Sequence, residues 1–211
     1  MEFLHSLYSP EGLQHLIATG GLLLLVVIIY AETGLFIGFF LPGDSLLVTA
    51  GLVAAGNPDV LNINHMILAL CVAAIAGDNT GYWFGRKTGP ALYGRRDGRF
   101  FKKKHLQSAH TFYERHGAKT IFLARFVPII RTFGPIAAGV AEMPYRRFLP
   151  FSIGGGITWI TSMSLLGYTL GTRYPSLGKS IDKVIIVIIV LSLLPMLVHY
   201  LKEKKREPNG G

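Results

Sequence analysis

The stretch Glu32-Thr-Gly-Leu-Phe-Ile-Gly-Phe-Phe-Leu-Pro-Gly-Asp44-Ser45 decides how this chain folds. Apart from its two carboxylates, Glu32 and Asp44, residues 16–58 carry no charge. That run is about twice the ~20 apolar residues one membrane helix requires. It is interrupted by Pro42-Gly43, which removes a backbone donor and favours irregular backbone. Irregular backbone persists at membrane depth only where protein covers it or it lines a wet cavity. A carboxylate within hydrocarbon costs on the order of 2.5 kcal/mol or more, which marks Asp44 as a functional position. Residues 33–56 therefore read as a re-entrant hairpin carrying part of a polar site.

Working outward, the composition is that of a membrane protein. Of 211 residues, 50% are hydrophobic and 16% charged, against ~25% charged in soluble domains. The expectation is an all-α integral membrane domain covering residues 1–211. The polar run at 86–119 is too short to build a core of its own. Net charge is +9, and it is concentrated. Residues 86–119 hold ten Lys/Arg against Asp97 and Glu114, and the tail at 202–211 holds Lys202, Lys204, Lys205 and Arg206. Basic clusters beside apolar segments place the 86–118 connection and the tail in the cytoplasm. Leu106, Ala109, His110 and Tyr113 give that connection an amphipathic helix suited to anionic headgroups. Flanking apolar segments argue against nucleic acid as the partner of these patches. Cys71 is the only cysteine and reads as a small buried hydrophobe. Neither it nor the histidines offer metal-ligand spacing, and no cofactor is expected. No Lys or Arg precedes the first apolar run, so that run is expected to stay as a helix, not to be a cleaved signal.

Four spans follow from the apolar pattern, at residues 13–31, 65–85, 148–172 and 184–201. Gly77, Gly81 and Gly85 put small residues at four-residue spacing on the second, a face that admits another helix closely. Residues 119–141 form a second broken segment. It contains Arg125 and Arg131 with Pro128, Gly134, Pro135 and Gly139. Four spans put the N-terminus in the cytoplasm as well. The first hairpin then enters from the far side and the second, 119–141, from the cytoplasmic side. The fold expected is an inverted repeat of two oppositely inserted re-entrant hairpins plus about four spanning helices, with a site near the midplane. Phe40-Leu-Pro42 against Phe126-Val-Pro128 is the internal match. The expected breaks are Pro42, Gly43, Pro128, Gly134 and Pro135.

Glu32, Asp44 and Asp78 are the candidate intramembrane acids, and Arg125 and Arg131 the candidate intramembrane bases. One reading is that they pair and hold the fold, since breaking a buried pair typically costs ~3–5 kcal/mol. The other gives them substrate. A guanidinium fork matches a phosphate, and carboxylates can carry protons. Arg125 and Arg131 then bind an anionic headgroup, and Glu32, Asp44 and Asp78 couple it to protons. Ser45 lacks a histidine to make it a nucleophile, and Trp159 reads as packing. An intramembrane lipid-phosphate phosphatase is an alternative. The chain lacks a clustered Glu-Glu-x-x-Glu and a Lys…Arg-Pro…His pattern, so a non-enzymatic role is preferred. A homo-oligomer is compatible with this organisation.

Four stretches resemble the bacterial DedA family. They are Phe40-Leu-Pro-Gly-Asp44-Ser45; Gly77-Asp78 with Gly81 and Gly85-Arg86; Phe112-Tyr-Glu-Arg-His-Gly117; and Ala124-Arg-Phe-Val-Pro-Ile-Ile-Arg131-Thr-Phe-Gly-Pro135. The resemblance covers nearly the whole chain, with no departure at the charged positions. It implies a multi-pass protein of the bacterial inner membrane in which Glu32, Asp44, Arg125 and Arg131 are essential. It also implies proton-coupled transport of undecaprenyl phosphate or a similar anionic lipid. Alternatives within transport are phospholipid scrambling and proton-coupled export of ions or drugs.

Overall fold

The computed structural model describes residues 10–35, 43–93 and 119–174. Among them all regular structure is helical. The elements are α1 (Pro10–Gly34), α2 (Gly43–Gly56), α3 (Ile63–Tyr93), α4 (Lys119–Ala124), α5 (Pro128–Val140) and α6 (Tyr145–Arg173). The turn at 41–42, the amphipathic helix of the basic connection, the span at 184–201 and the tail lie outside the described residues.

Two helices, Ile63–Gly89 within α3 and Tyr145–Arg173, are long and apolar enough to cross a membrane. The expected first span is also helical but bends at Gly21, whose φ of 54° and ψ of −151° are outside the helical region. Glycine tolerates that backbone because it has no Cβ. The remaining straight piece, Gly20–Gly34, is a shorter apolar helix. Helix α3 continues past the expected end at residue 85 and into the basic connection. Gly85 and Gly89 extend the small-residue face against Ile136 and Val140, so packing carries the helix onward.

The second broken segment is a pair of helices. The chain turns at residues 125–127, between α4 and α5. Pro128 sits in the first turn of α5, where its missing N–H removes no helical bond. Gly134 and Pro135 do not break the chain; both lie inside α5. Gly43 likewise opens α2. At 14 and 13 residues, α2 and α5 are each about 20 Å long, short of the ~30 Å hydrocarbon core.

Both short helices pack on glycine. A Cβ at Gly167 of α6 would lie 2.0 Å from the Val48 carbonyl oxygen of α2, and one at Gly51 would lie 2.2 Å from that of Ser164. The other seam is built the same way. A Cβ at Gly139 of α5 would lie 2.0 Å from the Tyr82 oxygen of α3, and one at Gly85 would lie 2.1 Å from that of Ile136. Each short helix thus packs on the long helix of the other half of the chain. The register makes α2 parallel to α6, because Val48 faces Gly167 and Ala55 faces Gly171. By the same test α5 is parallel to α3. The long helices oppose one another, with Asp78 facing Ser152 and Asn79 facing Tyr145. The N-termini of α2 and α5 therefore meet head to head.

The apolar core is divided in two. One part joins Leu25 and Ile29 of α1, Leu46 and Leu47 of α2, Met66 and Leu70 of α3, and Ile160 of α6. The smaller part joins Tyr82, Ile121, Ala138, Met143 and Phe148. Between them on α3 lies Asp78, and on α6 Ser152, both fully buried. On the outer surface Val27, Leu68 and Val72 are exposed along an apolar groove between α1 and α3. Exposed apolar rows of this kind suit a hydrocarbon surround rather than water.

Candidate functional site

The polar layer sits near the middle of the two long helices. Asp78 is 15 residues after Ile63 and 11 before Gly89 on a spanning helix, or about 22 and 16 Å by helical rise. Trp159 is 14 residues from either end of α6, about 21 Å. Into this layer the last turn of α1 brings Glu32, the first turn of α2 brings Asp44, and the first turn of α5 brings Arg131. The turn between α4 and α5 supplies Arg125.

All five charged residues singled out in the sequence come together as ion pairs. Arg131 Nη2 donates to Glu32 Oε1 at 2.5 Å, and its Nη1 donates to Asp44 Oδ1 at 2.7 Å. One guanidinium thus bridges two acids from separate helices. Arg125 pairs with Asp78 through Nη2 and Oδ2. Glu32, Asp78, Arg125 and Arg131 are buried. These pairs join residues 99, 87 and 47 positions apart, and they tie α1, α2, α3 and α5 together at one depth.

Glycine makes room for the charges. A Cβ at Gly43 would collide with the Glu32 carboxylate. One at Gly155 would lie 2.9 Å from Arg125 Cγ. One at Gly77 would meet Thr33 Oγ1, one residue from Glu32.

Two neutral residues complete the cluster, and sequence reasoning missed their place in it. Trp159 donates its Nε1–H to Asp44 Oδ1 at 2.8 Å, and its ring lies 4.2 Å from the Arg131 guanidinium carbon. Trp159 therefore does not merely pack. Ser152 donates to Asp78 Oδ2 at 2.5 Å. Both come from α6, two turns apart on one face, and each partners one arginine–carboxylate pair. An uncharged 25-residue span gives no local signal for either. The histidines at 105, 110 and 116 lie outside the described residues. Among the described residues no group of His, Cys, Asp or Glu is arranged to hold a metal.

Two features bear on chemistry. Three carboxylates face two guanidinium groups, which leaves one negative charge in excess when all are ionised. Buried charge without a counter-charge is strongly unfavourable, so among the described residues such an excess favours a further positive charge beside these five. Several buried atoms also lack hydrogen-bond partners, namely Glu32 Oε2, Asp78 Oδ1, Arg125 Nη1 and Arg131 Nε. Buried polar atoms are ordinarily satisfied, so these mark unused binding capacity on both acids and bases. The N-termini of α2 and α5 point into the same layer, and a helix N-terminus favours negative charge.

The chain is similar in sequence to known proteins. Residues 41–169 match the VTT domain, a range that takes in α2 through most of α6. The chain is 40% identical to Protein DedA of Escherichia coli K12 over 182 residues, 86% of this chain and 83% of that protein. It is 46% identical to the uncharacterized membrane protein Rv0364 of Mycobacterium tuberculosis over 176 residues, covering 82% and 76% of the two chains. A Mycobacterium leprae membrane protein, ML0287, is 42% identical over 191 residues, covering 90% and 82%. No solved structure matches.

Proposed function

Because the chain belongs to the DedA family of VTT-domain membrane proteins, we propose that it moves an anionic lipid across the bacterial inner membrane in exchange for, or together with, protons. The lipid is undecaprenyl phosphate or a phospholipid of similar headgroup charge. The observation that carries this reading is the buried layer in which Arg131 bridges Glu32 and Asp44 while Arg125 pairs with Asp78. That layer lies between two apolar cores, at the depth where transporters of this outline hold their substrates.

The paired short helices support an inverted repeat. Helices α2 and α5 have similar lengths, open on Gly43 and Pro128 respectively, and meet at their N-termini. We read them as the inner arms of two re-entrant hairpins entering from opposite faces. The basic connection and both termini are then cytoplasmic, and residues 57–64 lie on the far side.

In this mechanism the arginines are held by carboxylates in the resting state. A phosphate that reaches Arg131 replaces a carboxylate at the guanidinium edge. A displaced acid next to an incoming anion repels it, and taking up a proton removes that repulsion. Lipid and proton then move as a unit. The excess of one carboxylate over the arginines supports a proton already held in the cluster. The pairing of all five charges also favours a second reading, in which the charges only lock the fold; a charge-preserving swap, Glu32→Arg with Arg131→Glu, that folds and functions normally would select it.

The deciding experiment is flipping of headgroup-labelled lipids by purified protein in liposomes, with and without an imposed pH step. The expected outcome is movement of phosphate-headgroup lipids accelerated by the gradient. Movement of all headgroups without gradient dependence would select a scramblase. Phosphate release from a pyrophosphoryl lipid would select a phosphatase.

A further inference from the structure

Arg131 is held on three sides. Its terminal nitrogens meet Glu32 and Asp44, one face lies against the indole of Trp159, and Nε has no hydrogen-bond partner. The indole does two things at once. Its ring covers the guanidinium, and its N–H is donated to the same Asp44 oxygen that accepts Arg131 Nη1. Trp159 is 1% exposed and sits at the centre of α6. A guanidinium over an indole at 4.2 Å is well within cation–π range, which strengthens as water is excluded. The Arg125 guanidinium carbon is 6.0 Å from the same ring, so one side chain stands beside both bases.

We propose that Trp159 is the positioning residue of this site. It fixes the plane of the Arg131 guanidinium, so that an incoming anion reaches Arg131 along that plane and in exchange for a carboxylate. The indole offers a phosphate neither charge nor an acceptor; it lies under the arginine in both states. When Asp44 is displaced, the Trp159 N–H loses its acceptor, and the indole reports the exchange directly. Ser152 has the matching place on Asp78, but it holds an acid rather than a base.

The test uses the chain's small tryptophan content. Trp83 and Trp159 are the two tryptophans, and Trp83 is largely exposed, outside the charged layer. In the full-length Trp83→Phe protein in detergent, Trp159 is the only indole emitter. Arg131→Gln in that background is expected to shift its emission. Dodecyl phosphate is expected to give a saturable change in the Arg131 protein and none in Arg131→Gln. Dodecyl maltoside serves as the uncharged control. In liposomes, Trp159→Leu is expected to slow flipping of an anionic lipid about tenfold, the scale of a desolvated cation–π contact. Trp159→Phe keeps an aromatic face and is expected to stay within about threefold of wild type. The liposome arm rests on the proposed lipid transport; the Arg131→Gln emission arm does not. A wild type that moves no lipid removes the transport reading while emission still decides the place of Trp159. Emission unmoved by Arg131→Gln, or wild-type flipping by Trp159→Leu, would overturn the proposal.

Discussion

The charge balance of the buried layer makes an asymmetric prediction about stability. Arg131 pairs with both Glu32 and Asp44. Arg131→Gln removes one positive charge where acids are already in excess by one, leaving three carboxylates with Arg125 alone. Removing one partner of a buried pair costs about 3–5 kcal/mol, and here two acids lose theirs. Glu32→Gln moves the balance the other way, to two acids and two arginines. Arg131 keeps Asp44, so the loss is nearer that of one charged hydrogen bond, about 1.5–3 kcal/mol. The double variant should lose less than the sum of the two, with a coupling of about 1–3 kcal/mol. For a chain of this size 1 kcal/mol moves Tm by roughly 2–4 °C. Arg131→Gln is therefore expected to lower Tm by about 10 °C, Glu32→Gln by about half of that, and the double variant by less than the two added together. Thermal unfolding of the purified proteins in one detergent measures all three. Equal losses for the two single variants, with a double variant that is simply their sum, would refute the charge-balance argument.

Further outcomes follow from the same geometry. Gly139→Ala and Gly167→Ala place a Cβ 2.0 Å from a carbonyl oxygen and should each destabilise by about 1–3 kcal/mol. Gly56→Ala, with nothing within 4 Å, should be neutral in the same unfolding assay. Arg125→Lys and Arg131→Lys should insert normally, as membrane fractionation will show, yet lose most lipid flipping, because an ammonium cannot make the two-pronged contact. Glu32→Gln and Asp44→Asn should each abolish acceleration by a pH step; equal gradient dependence in wild type and both variants would remove the proton role. In a Cys71→Ala background, single cysteines at Asn57, Asp59 and Asn62, which are exposed, should label from outside intact cells. Labelling only after permeabilisation would reverse the assigned topology.

The charged layer was largely legible in the sequence because its signal is local. A carboxylate or guanidinium in an apolar run stands out whatever it touches, and Glu32, Asp44, Asp78, Arg125 and Arg131 all meet in space. Which acid faces which base was not legible, since the pairs span 47 to 99 positions. The glycine spacing of α3 announced a close helix contact. That the contact is α5 rather than a neighbouring span depends on how the two halves exchange their arms. Trp159 and Ser152 were invisible because a neutral residue in a neutral helix acquires its role only from what is brought against it. Gly134-Pro135 misled for the opposite reason. The pair is a strong local signal for a break, but the helix absorbs it, and the turn falls earlier, just before Pro128.

The exchange of arms has a consequence for how the chain is made. Glu32 and Asp44 are synthesised 99 and 87 residues before the arginine that neutralises them. At about 5–20 residues per second, that interval lasts on the order of 4–20 s. Helix α2 also waits for its glycine seat, because Gly167 and Gly171 belong to α6. During this time α1 and α2 carry two acids without their arginine, and α2 a backbone face without its mate. Such a segment cannot settle in hydrocarbon alone. It must stay near water or near the insertion machinery until the second half emerges. The two halves of this protein are therefore a single unit of assembly, and a chain arrested before Lys119 should leave Glu32, which is buried in the finished protein, open to aqueous reagents.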